Sequence, residues 1–406
     1  MSPAPAVYDV LIAGAGAAGL SLAAALKSAL GGEAAVAVVD AAAREGDGHL
    51  RAVAIAAGPR RLLSEIGAWA ALEAKTQAIL EMAIMDGGPR DAVRPRHLHF
   101  AAREGEPLAH MAFNDDVVAA LAETCAKCGV ARLVGRVAAF DAQAYVANVA
   151  LDDGTRLRAR LVVAADGARS RLRRLADIPT IGWDYDQSGI VATVAHERDH
   201  MGRAEQHFLP AGPFAILPLP GRRSSIVWNE TRADARALIA LETEDLLRQL
   251  EFRFTLKLGA IRFASRAEAF PLGFRVARRF VGPRLALIGD AAHLVHPLAG
   301  QGLNQGLRDV AALAEVAAER LRRGLDPGDA ETLESYQRRR RFDVAASGLG
   351  MDALNRLFSN NFAPLRFVRD FGLRLVDRME PLKALLTAEA GGAALSAPRL
   401  LRGEAL

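Results

Sequence analysis

The chain has 406 residues, 51% of them hydrophobic, enough to bury a large core and to build two domains. A formal net charge of +4, from 51 basic and 47 acidic residues, gives no argument for a polyanionic partner. The basic clusters Arg169–Arg174 and Arg338–Arg341 read as solvated helix or loop faces, because a nucleic-acid surface needs a coherent positive face with stacking aromatics, and aromatics are only 6%.

At the N-terminus, MSPAPAVYDVLIAG runs almost directly into a strand, without a basic region, long apolar stretch and cleavage site. The expectation is a cytoplasmic protein, with attachment to the surface of an inner membrane left open. Tyr8–Ala13 reads as a buried strand, Ala17–Leu30 as a helix stopped by Gly31-Gly32, and Ala35–Val39 as a second buried strand ending at Asp40. This is a compact βαβ unit. Arg51–Gly67 reads as a loop entering an amphipathic helix, and Asp115–Lys127 as a helix capped by Asn114 or Asp115. That helix carries the chain's two cysteines, Cys125 and Cys128, on one face. They are too few for a structural zinc or iron–sulfur site, and two reduced thiols fit better than a redox pair.

Ala131–Phe140, Ala144–Leu151 and Arg156–Val163 read as short strands, with Asp153-Gly154 a hairpin turn. From about Ile181 to Phe270 the pattern suits a separate sheet. Its strands are Gly189–His196, Ala204–Leu209, Phe214–Leu219 and Ser224–Trp228, followed by the helix Glu242–Phe252. Residues 284–324 return to the first unit, and the last 60 residues are helical, with amphipathic patches around Leu354–Phe358 and Leu365–Met379. The expected division is a discontinuous first domain (1–75, 98–180 and 271–345), an inserted domain (76–97 and 181–270) and a C-terminal helical region (346–406).

Three segments carry chemistry. GAGAAG supplies Gly14 for a tight turn, Gly16 for close approach of a pyrophosphate, and Gly19 for helix–sheet packing. The helix that opens there, through Ala17 and Ala18, offers unpaired amides to phosphate. Asp40, 26 residues after Gly14, can accept from an adenosine ribose and disfavours the extra phosphate of NADP in that pocket. Asp166-Gly167 ends a second strand, where a lone Asp-Gly is by itself an ordinary turn. The third segment, RLALIGDAAHLVHPLAGQGLNQ from Arg284, reads as a strand, Gly289-Asp290, and a glycine-rich helix start near Gly302. A carboxylate there can hold a ribityl hydroxyl, and the helix can aim amides at developing negative charge. No carboxylate–histidine set accompanies His293 and His296, so no metal is expected, and His293 reads as a local hydrogen-bonding residue. Tyr185, His207 and Trp228 are candidate pocket residues that core packing explains equally well.

In this order the three segments resemble the class A FAD-dependent aromatic hydroxylases, specifically their ubiquinone-biosynthesis branch. The matching stretches are GAGAAG from Gly14, AADGARSRLR from Ala164 and GDAAHLVHPLAGQGLNQGLRD from Gly289, and the likeness runs from residue 8 to about 385. The resemblance implies an α/β fold like that of p-hydroxybenzoate hydroxylase. That is a Rossmann-like FAD-binding domain, an inserted β-sheet substrate domain and a helical C-terminal region. It implies that Gly14, Gly16, Ala17, Ala18, Gly19 and Asp40 bind the ADP half of FAD, although the family more often has glutamate at the position of Asp40. Arg51 would approach the cofactor phosphates, a structural role being its alternative. Asp166 belongs to a motif tied to both FAD and NAD(P)H, Gly289 and Asp290 to the ribityl–pyrophosphate region, and Pro297, Gly300, Gln301, Gly302, Leu303 and Asn304 to the flavin ring.

The implied reaction uses NADH or NADPH, with no stable second nucleotide domain, and O2. One oxygen atom enters an electron-rich phenol ring and the other leaves as water. The cofactor carries this chemistry, and no side-chain base is nominated. The implied substrate is a polyprenylated phenol or quinone precursor, hydroxylated at C5 by preference among the branch's C1, C5 and C6 positions. Other ubiquinone-biosynthesis proteins and the membrane surface are the implied partners. Leu354, Leu357, Phe358, Phe362, Leu365, Phe367 and Phe371 could contact membrane, or pack on the FAD domain or a second subunit. The alternatives are a hydroxylase of a soluble aromatic compound and a non-catalytic FAD-containing scaffold.

Overall fold

The computed structural model describes residues 7–41, 51–87, 96–102, 106–254, 257–294, 301–358, 379 and 397–406. Strands buried on both faces must be apolar, and the runs Val10–Ala13, Val36–Val39, Leu161–Ala164 and Leu285–Leu287 at the centre of the first domain meet that condition. Val10, Leu11 and Ile12 of the strand Tyr8–Ala13 are shut off from solvent. That strand pairs in parallel with Val36–Asp40 on one side and Arg156–Ala164 on the other. Leu285–Leu287 continues the sheet beside Arg156–Ala164, and Ala131–Val134 beside Val36–Asp40. Four neighbouring parallel strands therefore end at Asp40, at Gly14, just before Asp166 and just before Gly289. The carboxyl ends of such strands form the crevice where α/β sheets hold their ligands.

A second sheet of nine strands is built around the 17-residue strand Thr180–His196. Glu81–Asp86 and Arg96–Ala101, distant in sequence, join it when Glu81–Asp86 pairs in parallel with Arg203–Leu209. One face is closed by the helices Arg232–Ile239 and Thr243–Phe254, over a core that includes Phe214, Trp228, Leu250 and Phe254. The other packs Ala204, Ala215, Leu217 and Leu219 against Ala54, Ile79 and Met111 of a three-stranded sheet. That small sheet (Ala52–Ala56, Gln77–Ile79, Ala109–Phe113) joins the two halves.

Several expectations need correction. Arg51–Ala56 is not a loop: Ala52–Ala56 is a strand paired with Ala109–Phe113. The helix Asn114–Lys127 has Phe113 at its cap position and no side-chain cap, so neither Asn114 nor Asp115 caps it; Asp115 and Asp116 instead complement the dipole from its first turn. The expected strand Ala131–Phe140 breaks at Gly135, φ +146°, into Ala131–Val134 in the parallel sheet and Val137–Ala142 in a hairpin. Cys125 is buried, its thiol donates to the Leu20 carbonyl at 3.3 Å, and burial pushes its pKa up to about 12. Such a thiol is an inert packing group.

The helix Gln301–Arg322 lies along Ala17–Leu30, and the helix Ala330–Phe358 follows it. The short helix Arg399–Arg402 packs back on Ala57–Glu65 and buries Leu400 and Leu401. Phe362, Leu365, Phe367 and Phe371 lie outside the described residues. Among the described residues no helix is long and apolar enough to cross a membrane.

Candidate cofactor site at the ends of four strands

The glycine turn divides its labour as the spacing implies. Gly14 has φ +116°, and a Cβ there would stand 2.2 Å from the Ala165 carbonyl oxygen. A Cβ on Gly19 would stand 2.0 Å from the Gly14 oxygen. Both contacts are with backbone that cannot step aside. A Cβ on Gly16 would meet no described atom within 4 Å. Gly16 is the cap residue of Ala17–Leu30, whose first turn has neither a side-chain cap nor an acidic residue. Orphan amides facing open space, at the positive end of a helix, fit a pyrophosphate. At the end of the next strand, Asp40 accepts from Arg132 at 2.6 Å, and its carbonyl accepts from the Gly135 amide.

The same contacts stitch the three motifs together. Gly14 lies against Ala165, the neighbour of Asp166. A Cβ on Gly289 would lie 3.5 Å from the Ala18 methyl and 3.9 Å from Gly306. Asp166 itself is turned to local work. Its Oδ2 accepts from the amides of Arg171 (2.7 Å) and Leu172 (3.2 Å), capping the helix Arg171–Leu175 together with Ser170. Its Oδ1 is buried without a hydrogen-bond partner among the described residues. Arg173 donates to the carbonyls of Ala168 (3.0 Å) and Ala291 (2.7 Å), tying the middle motif to the third.

Gly289 has φ +58° and starts a single tight turn, Gly289–Ala291. Asp290 opens to solvent at the mouth of a cavity. The surrounding walls raise its carboxyl above the ordinary range, while His293 and Arg51 pull it down and Asp309 adds to the rise. Arg51 is thus brought to the site. Asn304 is buried, and its amide donates to Ala54 (2.9 Å) and accepts from Ala56 (3.0 Å). Its side chain therefore clamps the helix start against a strand. Leu303 packs on the core, Gly302 opens onto space, and Gln301 begins the helix; Pro297 and Gly300 lie outside the described residues.

Asp309, Arg340 and Tyr336 escaped the sequence reading. Asp309 is completely buried behind the turn and bonded to Gly289, His293 and Arg340. Arg340, expected to be solvated with its neighbours, is only 2% exposed. Tyr336 is buried and donates to the Leu287 carbonyl at the end of the strand before Gly289. The sole signal was the spacing of Leu333, Tyr336 and Arg340 at i, i+3 and i+7, which puts the arginine on the apolar face of its helix. His207 and Trp228 are core residues of the second sheet, hydrogen-bonded to Glu205 and Glu230. Tyr185 packs with Leu272 and Phe274.

A cavity of about 310 Å³ lies between the middle and third motifs; Arg169, Arg173, Arg174, Arg275, Asp290 and His293 line it. The sequence matches the FAD binding domain family over residues 7–347. The chain belongs to this family of FAD-dependent aromatic-ring monooxygenases. The monooxygenase is 43% identical to the ubiquinone hydroxylase UbiL of Rhodospirillum rubrum over 411 residues, covering 98% of this chain and 93% of the relative. It is 39% identical to the 3-demethoxyubiquinol 3-hydroxylase of Escherichia coli over 252 residues, 62% of this chain and 64% of that one. Among solved structures, the PqsL protein of Pseudomonas aeruginosa, in complex with 2-aminobenzoylacetate, matches with a TM-score of 0.76 and 26% identity. That match covers 90% of the monooxygenase and 99% of PqsL. The Rossmann-like FAD-binding domain with an inserted β-sheet is the fold these relatives share.

Proposed function

We propose that this monooxygenase hydroxylates the aromatic ring of a polyprenylated phenol or quinone precursor in ubiquinone biosynthesis, with C5 the favoured position. The observation that carries the substrate class is the likeness to a ubiquinone hydroxylase along 98% of the chain. The geometry supports the division of labour within it. Gly14, Gly16, Ala17, Ala18, Gly19 and Asp40 hold the ADP half of FAD. Arg51, Gly289 and Asp290 hold its phosphates and ribityl chain. Gln301, Gly302, Leu303 and Asn304 at the helix start are assigned to the ring together with Pro297 and Gly300, Asn304 anchoring the helix and Asp166 holding its loop. When bound, FAD reduced by NADH or NADPH supplies the activation of O2.

The chain's own residues orient the two partners and keep water out. Four arginines around the cavity suit the pyrophosphate of a nicotinamide cofactor that binds only in passing. The proposed domain boundaries remain 1–75, 98–180 and 271–345 for FAD, and 76–97 with 181–270 for substrate. Membership of Glu81–Asp86 in the second sheet supports grouping 76–97 with 181–270, while the strands Arg96–Ala101 and Glu268–Ala277 carry that sheet past residues 97 and 270. Residues 346–406 form the C-terminal region. The proposed partners are other ubiquinone-biosynthesis proteins and the inner-membrane surface, which a substrate with a prenyl tail requires.

The test is deletion of the gene in its host with mass spectrometry of prenylated intermediates. Accumulation of a ring lacking one hydroxyl, reversed by the gene, is the expected result and gives the position. Unchanged ubiquinone would favour the second reading, a soluble aromatic substrate, to which the likeness to PqsL with its bound 2-aminobenzoylacetate points.

A further inference from the structure

We propose that Asp309 and His293 are positioning residues for the cofactor turn, gripping both ends of the segment that aims Asp290. One oxygen of Asp309 accepts from the Gly289 amide at 2.8 Å and from His293 Nε2 at 2.7 Å. Those two residues flank Asp290, one before it and one three positions after. The other oxygen of Asp309 accepts from Arg340 Nε at 2.7 Å. Asp309 has no solvent exposure, and His293 and Arg340 each have 2%.

A buried carboxylate must have a counter-charge and filled lone pairs, and Arg340 supplies the charge from the neighbouring helix. Arg340 is held in turn by the Gln305 side chain (2.9 Å) and Asp343 (2.8 Å). Joining the two helices therefore needs only the Arg340 side of Asp309. The second oxygen is spent on the turn. It fixes Gly289 in its left-handed conformation and pins the imidazole that stands beside Asp290 at the cavity wall. Burial would raise the Asp309 carboxyl, but His293 and Arg340 outweigh it and hold the group below the ordinary range.

This rests on the assignment of Asp290 to FAD and not on the identity of the substrate, so the two fail separately. The test measures the dissociation constant of FAD from the purified apoprotein by flavin fluorescence, and the urea midpoint of each apoprotein. Asp290→Asn, His293→Phe and the double variant form a cycle. His293→Phe is expected to weaken FAD binding at least about tenfold, the worth of one charge-assisted hydrogen bond. In the double variant the loss should stay within about threefold of the worse single variant, because both act through one carboxylate. His293→Gln, which keeps an N–H for Asp309, should recover most of the affinity. If His293→Phe does not fold, His293→Asn, whose amide falls short of Asp309, takes its place. Unchanged FAD affinity in the folded variant, or losses that multiply in the double variant, would overturn the proposal; a structural role lowers the urea midpoint alone.

Discussion

Within one turn, Gly16 and Gly19 stand in opposite situations. A methyl on Gly19 meets the Gly14 carbonyl oxygen at 2.0 Å, and that oxygen belongs to a backbone already held by its neighbours. Gly19→Ala should therefore destabilise the apoprotein itself by about 1–3 kcal/mol, the range for overpacking a rigid site. A methyl on Gly16 meets nothing described within 4 Å, so Gly16→Ala should leave the urea midpoint nearly unchanged and weaken FAD binding by intruding where the pyrophosphate approaches. Equal effects of the two substitutions on stability would show that the open space is not a ligand's. The backbone roles of Gly14 and Gly19 were legible because glycine spacing encodes backbone geometry directly. Asp166 and Arg340 were less so. Whether a carboxylate caps a helix or meets a ligand, and which arginine of RRRR turns inward, depends on what the fold packs against it. Asp309, three residues beyond Gly306, carried no local mark of its burial.

Among elements, the start of Gln301–Arg322 matters most to the proposed function, which sets its amides toward the flavin ring. Asn304 locks that start to the strand Ala52–Ala56 through the Ala54 carbonyl and the Ala56 amide. Asn304→Leu keeps the bulk but strands both backbone groups away from water. The expected cost is about 1–3 kcal/mol, read in the thermal unfolding of the apoprotein, and a broadened flavin absorption band would report the loosened helix start. An unchanged melting temperature would mean that solvent reaches the strand. The strand itself was misread as a loop because AVAIA is five residues long and its partner, Ala109–Phe113, lies more than fifty residues away. Periodicity shows an apolar face, not the edge that completes it. The break at Gly135 was hidden for a related reason. Both sides are strands, and only their assignment to different partners, parallel strand and hairpin, separates them.

For the molecule as a whole, the parallel sheet was readable from its continuous buried runs, and residues 76–97 were expected to join 181–270, but the strand pairing that assembles the second sheet was not readable. Glu81–Asp86 finds Arg203–Leu209 across more than a hundred residues, and nothing local announces it. That assembly is what brings Arg275, from the second sheet, to the cavity whose other arginines belong to the middle motif. Arg275 bonds Asp184 at 2.7 Å, but both side chains are nearly half exposed, so the pair is weak and its guanidinium can turn to an incoming anion. Arg275→Ala should therefore raise the KM of the nicotinamide reductant about tenfold, as loss of a charge-assisted phosphate contact predicts. The kcat should change less than about twofold, and FAD affinity should be unaffected, since the residue holds neither the bound cofactor nor the reacting ring. The wild-type KM should also climb with ionic strength more steeply than the variant's, because one screened attraction is gone. A KM that stays put at all salt concentrations would remove the reductant from this cavity, and with it the reason for the two sheets to build one there.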